Sequence, residues 1–211
     1  AQRALVLLIA MAVLSFMSLL FACVTGSVSL SLPELFSALN ELLHGQRESL
    51  ASSVLDLRLF RALSAFVTGA TLALAGVLMQ ALLRNPLADP YVLGLSGGAS
   101  VGALATILFV GAGIMVDVAA FSGAMCVAAL LFGLAYRDFR GAGSAEGSTP
   151  LLLLTGVIVA SGCGAIVTLL LSIAPDHSLR GMVFWMIGDL SNTQPRYISW
   201  AIWIGVAALM L

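Results

Sequence analysis

Apolar residues fall along this chain in long blocks separated by short polar breaks. Six blocks read as membrane-crossing helices, at residues 4–24, 62–83, 94–114, 116–136, 150–173 and 197–211. A helix rises about 1.5 Å per residue, so about twenty apolar residues cross a hydrocarbon layer of about 30 Å. The last block is still apolar at Leu211, without the polar flank that a span normally carries, and the first residue is Ala rather than Met. Both features suggest a piece of a longer protein.

The polar breaks have patterns of their own. In SLSLPELFSALNELLHGQ, between the first two blocks, Leu32, Leu35, Phe36, Leu39, Leu42 and Leu43 keep helical spacing. Ser31 and Glu34 form an S-x-x-E capping box, Pro33 suits a first turn and Gly45 a stop. This segment, residues 32–44, is too short and too polar to span, and is expected to lie flat at the membrane interface or to pack on the bundle. RDFRGAGSAEGST, between the fourth and fifth blocks, reads as a flexible link. Residues 178–187 suit a short extra helix outside the bilayer, ended by Gly188. The expected fold is all-α, a polytopic transmembrane helix bundle forming one domain over residues 1–211.

Composition narrows the function classes. Of 211 residues, 61% are hydrophobic and 9% charged, against about 25% charged in an average soluble domain. A formal net charge of -1 leaves no basic stripe for nucleic acid. All nine cations are arginine, and lysine is absent. Cys23, Cys126 and Cys163 lie far apart in apolar runs and read as small packing residues, not as a metal set or a disulfide framework. His44 and His177 read as loop residues, and neither a metal nor a cofactor is expected. The first block is longer than a signal-peptide core, no A-x-A-like site follows it, and the LFAC before Val24 fits lipoprotein processing poorly at Phe21.

The chemistry concentrates in RNPLADPYVLGLSGGASVGA, residues 84–103. A phosphate-binding P-loop is excluded, because it needs a lysine. Gly94-Leu95-Ser96-Gly97-Gly98 matches G-x-S-x-G, which would suit a rhomboid-like intramembrane serine protease if a histidine stood on a neighbouring span to take the serine proton. His44 and His177 both lie outside the spans. A structural reading fits better: Pro86 and Pro90 interrupt helix, Asn85 and Asp89 can satisfy loose amides, and Gly94, Gly97 and Gly98 let helices approach closely.

At these residues the chain resembles a known family. RALSAFVTGATLALAGVLMQALLRNPLADPYVLGLSGGASVGA, residues 61–103, is similar to the signature region of FecCD-type permeases, and MVFWMIGDLS, residues 182–191, to a second stretch. Those are membrane subunits of bacterial ABC importers for iron-siderophores, haem and cobalamin. The resemblance implies a fold of about ten spans, of which this chain carries about six. It implies a multi-pass protein of the bacterial inner membrane with a cytoplasmic N-terminus, a second permease subunit, a cytoplasmic ATPase dimer and a periplasmic substrate-binding protein. ATP hydrolysis would then belong to a partner, and the chain would not be an enzyme. Arg58 and Arg61 match the family's R-x-x-R and would meet carboxylates of the binding protein. Interfacial anchoring is the plainer use of the same pair. With the N-terminus inside, arginines divide four inside (Arg3, Arg84, Arg137, Arg140) against five outside (Arg47, Arg58, Arg61, Arg180, Arg196), so charge alone does not orient the chain. The fifth block presents Ser161, Gly164, Thr168 and Ser172 at helical spacing, which suits either a weakly polar path wall or helix packing through small residues. A non-transporting membrane scaffold is the remaining alternative.

Overall fold

A computed structural model describes residues 2–111, 113–141, 148–190, 199, 201–203, 205 and 206. Over residues 2–190 it contains the α-helices α1 (Gln2–Val24), α2 (Leu32–Leu43), α3 (Leu50–Leu83), α4 (Leu95–Phe109), α5 (Ile114–Gly141), α6 (Ser148–Ile173) and α7 (Asp176–Ile187), with a 3-10 turn at Pro90–Leu93 before α4. Among the described residues, four helices are long and apolar enough to cross a membrane: Leu5–Val24, Leu50–Leu83, Ile114–Leu134 and Leu153–Ile173.

Several boundaries differ from the sequence reading, each for a physical reason. The second span was expected to start after Arg61, but α3 starts at Leu50 and has 34 residues, about 51 Å of helix. Ser52, Ser53, Asp56 and Arg58 lower the hydropathy of its first turns without opposing helix, so this end extends beyond the hydrocarbon. The third block, expected over 94–114, yields only the 15 residues of α4, about 22 Å. Gly94 sits outside its start at φ 75°, and Gly111 and Gly113 turn the chain at its end with φ 112° and 148°. Of the link expected over 137–149, residues 137–141 belong to α5 and 148–149 to α6, while 142–147 lie outside the described residues. His177 is in the first turn of α7 rather than in a loop. Most of the sixth block lies outside the described residues; 199, 201–203, 205 and 206 are helical.

The chain divides into two compact units, residues 1–72 with 190–211, and residues 73–189. In the second, α4 packs on α5, α6 and α7. Ala103, Leu104 and Ile107 of α4 are buried with Val116 of α5, Val167 and Leu170 of α6, and Met182 of α7. A neighbouring cluster joins Leu83, Leu93, Val127, Leu131 and Cys163.

In the first unit, polar ties replace a broad core. Glu34 accepts from both the backbone N–H and the hydroxyl of Ser31 at 2.7 Å, the reciprocal half of the expected capping box. Gly45, at φ 72°, ends α2 where the sequence indicated. Glu41 of α2 then accepts from the hydroxyl of Ser49 at 2.8 Å and from its N–H at 3.2 Å. The Ser49 hydroxyl in turn accepts from the N–H of Ser52 at 3.0 Å. Thus α2 is tied to the start of α3, where Ser52 and Leu55 are buried, and Ala38 of α2 is fully buried.

Candidate functional site

The signature turn is built almost entirely from local hydrogen bonds. After Leu83 the chain leaves α3 through Arg84, which takes the left-handed conformation at φ 48°. The Arg84 N–H donates to Ala81 O at 3.4 Å and the Asn85 N–H to Gln80 O at 3.2 Å, closing the helix end. Gln80 Nε2 donates to Pro86 O at 3.0 Å and so braces the turn from inside α3. Asn85 Oδ1 accepts from the Leu87 N–H at 2.9 Å, and Asp89 Oδ1 from the Tyr91 N–H at 2.8 Å. Both acids-or-amides therefore do what their positions suggested, satisfying amides that no helix supplies. Pro90 opens the 3-10 turn, where its missing N–H costs nothing, and Gly94 closes that turn with its N–H on Tyr91 O at 3.0 Å.

The glycines that follow sort onto two sides of α4. Gly94 and Gly97 meet α6: a Cβ on Gly94 would stand 2.9 Å from Ala160 N, and one on Gly97 2.8 Å from Cys163 Cβ. Gly98 and Gly102 meet α5: a Cβ on Gly98 would stand 2.5 Å from Gly123 O, and one on Gly102 would collide with Ala119 O. Gly123 returns the contact on Gly98 O, and Gly156 of α6 leaves room for Leu93. In lipid, apolar burial does not distinguish a neighbouring helix from an acyl chain, so close backbone approach of this kind supplies the association. Ser96 lies half-buried on the same turn of α4. His177 stands on a 12-residue helix too short to span, and His44 caps α2 with Nδ1 2.8 Å from Asn40 O.

The exposed side of α6 carries Ser161, Gly164, Thr168 and Ser172, all exposed, while Cys163, Val167 and Leu170 face the core. At about 100° per residue the two sets lie roughly a third of a turn apart. Ser161 donates to Val157 O at 2.8 Å and Thr168 to Gly164 O at 2.9 Å. Both hydroxyl protons are thus spent on the helix itself, and only lone pairs face outward. A Cβ on Gly164 would meet nothing within 4 Å.

The arginine pair lies inside α3, not before it. Arg61 is exposed and Arg58 half-buried. Arg58 donates through Nη1 to Cys23 O at 3.1 Å and Val24 O at 3.2 Å, and through Nη2 to Val28 O. These carbonyl partners, the Arg47–Asp56 ion pair at 3.2 Å and the Glu41–Ser49 tie were missed in the sequence. The α6 side of the glycine contact was also missed; the small-residue spacing of Gly156, Ala160 and Cys163 is the signal that could have found it. Among the described residues no group of three His, Cys, Asp or Glu could hold a metal ion.

With this geometry in hand, similarity to known proteins can be placed. The family model of the FecCD transport family matches residues 8–211. The chain is 33% identical over 197 residues to the vitamin B12 import system permease protein BtuC of Shigella boydii, covering 92% of this chain and 54% of that protein. It is 39% identical over 152 residues to the uncharacterized ABC transporter permease protein YvrB of Bacillus subtilis, covering 69% and 41%. In three dimensions it matches a metal-chelate type ABC transporter solved in an inward-facing conformation, with a TM-score of 0.72 at 24% identity, over 97% of this chain and 59% of that one. The chain thus spans about half the length of the curated relatives it matches.

Proposed function

This chain belongs to the FecCD transport family, and from that premise we propose that it forms the N-terminal part of a permease subunit that moves a bulky metal chelate, haem or cobalamin across the bacterial inner membrane. The carrying observation is the glycine-faced α4 behind the RNPLADP turn, in a chain matched by the family over residues 8–211. A pore wall for a large cargo must hold its shape without gripping the cargo. Backbone contacts on both sides of α4 hold the shape. The exposed side of α6 supplies a surface of small residues on which the hydroxyl donors of Ser161 and Thr168 are already satisfied.

With no lysine and no P-loop, the chain has nothing with which to bind ATP in that way. A cytoplasmic ATPase dimer would therefore supply the energy, a second permease subunit the other wall, and a periplasmic binding protein the cargo. The N-terminus is cytoplasmic in this reading, which puts the RNPLADP turn inside and the start of α3 outside. The Arg58/Arg61 end of α3 is then where a binding protein docks, with a guanidinium suited to paired recognition of carboxylate. No histidine on a spanning helix accompanies Ser96 among the described residues, and the permease relatives lend nothing to a protease reading.

The test is reconstitution of the permease from its complete reading frame with its ATPase and binding protein in liposomes. ATP-dependent accumulation of one of three labelled cargoes, a ferric siderophore, haem or cobalamin, is expected. No uptake of any of them, with no stimulation of the ATPase, would overturn the proposal.

A further inference from the structure

Arg58 and Arg61 share one end of one helix and one sequence motif, yet the structure uses them differently. The last carbonyls of an α-helix have no partner within the helix and carry the negative end of its dipole. At the end of α1, Phe21 O is taken by the N–H of Thr25 at 2.9 Å and by its hydroxyl at 2.7 Å. Cys23 O and Val24 O are taken by the Arg58 guanidinium, which also reaches Val28 O in the turn beyond. The residue beneath the guanidinium fits this arrangement. The guanidinium lies over the backbone of Gly26, so closely that a Cβ there would stand 2.5 Å from Nη2, 2.7 Å from Cζ and 2.8 Å from Nε. Gly26 thus leaves the space that the guanidinium fills. No described side chain of α1 is buried, so this end is where α1 acquires a specific polar connection to α3.

We propose that Arg58 is a positioning residue, clasping the end of α1 and the turn through Val28 onto α3, and that the docking charge of this end of α3 is Arg61. The donors of Arg58 are committed to three carbonyls, whereas Arg61 is exposed. The second half of this assignment rests on the docking reading above; the first does not.

The experiment uses the complete permease in detergent or nanodiscs, with two readouts. Hydrogen exchange of the amides of residues 22–31 reports the clasp, and needs no partner. Affinity for the binding protein across a salt series reports docking charge, because an exposed interfacial charge acts through association rate and salt dependence. Arg58→Gln should raise exchange over 22–31 by about tenfold, the effect of losing roughly 1.4 kcal/mol of local stability, and leave the salt dependence of binding unchanged. Arg58→Lys should restore part of the protection, since an ammonium keeps the charge but not the fork. Gly26→Ala should raise exchange by less than Arg58→Gln, because its methyl presses on the far end of a flexible side chain, which can shift while the charge stays in place. Arg61→Gln should do the reverse, leaving exchange as in the parent and flattening the salt dependence.

Unchanged exchange in both Arg58→Gln and Gly26→Ala would overturn the clasp. A loss of salt dependence in Arg58→Gln equal to that in Arg61→Gln would overturn the division of roles. If the parent permease does not bind its binding protein at all, the docking reading fails, while the exchange data still decide the clasp.

Discussion

Two apolar helices of this chain, α4 and α1, are held in opposite ways. The first is hemmed in by backbone: α5 lies against Gly98 and Gly102, and α6 against Gly94 and Gly97. The second exposes its flanks along its length and is tied at its C-terminal end by one arginine. Lipid explains why both can exist in one protein. A helix with an apolar surface is at ease in acyl chains, so exposing it costs little, and fixing it requires either close packing or a polar tie. Close packing has little tolerance for added atoms. A polar tie tolerates bulk elsewhere on the helix but depends on one side chain.

The strongest way to break the comparison is to add atoms at the tight contact. Gly102→Val should cost more than about 3 kcal/mol, because even its Cβ collides with Ala119 O and backbone cannot step aside as a flexible side chain can. Gly69→Ala on α3, where a Cβ meets nothing within 4 Å, should change stability by no more than about 1 kcal/mol, in the stabilising direction. Unfolding in mixed detergent micelles would rank the two. Equal losses would mean that the α4 contact is looser than these distances state.

The exposed side of α6 sharpens the comparison from the functional side. Thr168→Phe adds bulk where the described structure has none, so stability should hold while uptake falls several-fold in the liposome assay. A loss of stability instead would assign this face to helix packing, the alternative use of a small-residue stripe.

How much of this was readable beforehand depended on the range of the interaction. The capping box at Ser31 and Glu34, the stop at Gly45 and the amide-satisfying roles of Asn85 and Asp89 rest on partners within six residues, and all were legible. The start of α3 was not, because hydropathy registers the bilayer and not the helix, and Ser52, Asp56 and Arg58 are polar residues in a helix that leaves the bilayer. The shortness of α4 was hidden by apolar residues at the break, Val110 at its end and Ile114 at the start of α5. The pairing of Gly97 with Cys163, and of Arg58 with Cys23 thirty-five positions away, follows from how helices meet. No spacing along one helix contains that information.

A smaller effect should come from Arg84. Left-handed backbone disfavours a side chain with a Cβ, and glycine or asparagine ends a helix this way at lower cost. Arg84→Gly should therefore stabilise the isolated permease by about 0.5–1 kcal/mol in the same micelle assay. If uptake falls while stability rises, the guanidinium is needed on the face where the turn lies.

The smallest effect concerns the polar ties of the first unit and their response to acid. The Glu41 carboxyl is held below its ordinary value near 4.5, first of all by the hydrogen bond from the Ser49 hydroxyl. Glu34 is lowered likewise by the Ser31 N–H and then its hydroxyl. A carboxyl whose folded value lies below its unfolded one stabilises the fold fully above the unfolded value, and that contribution fades as pH falls through the folded value. Amide exchange in α2 should thus be insensitive to acid from neutrality down to about pH 4.5 and quicken below it, once corrected for intrinsic exchange. Glu41→Gln should remove part of that response, and the double variant with Glu34→Gln more of it. Glu34 is exposed and Glu41 only half-buried, so solvent screening keeps the change small. The glycine contacts of α4 contain no carboxylate, so exchange there should not follow the same curve. An acid response of equal size in α4 and α2 would mean that the two regions do not open independently.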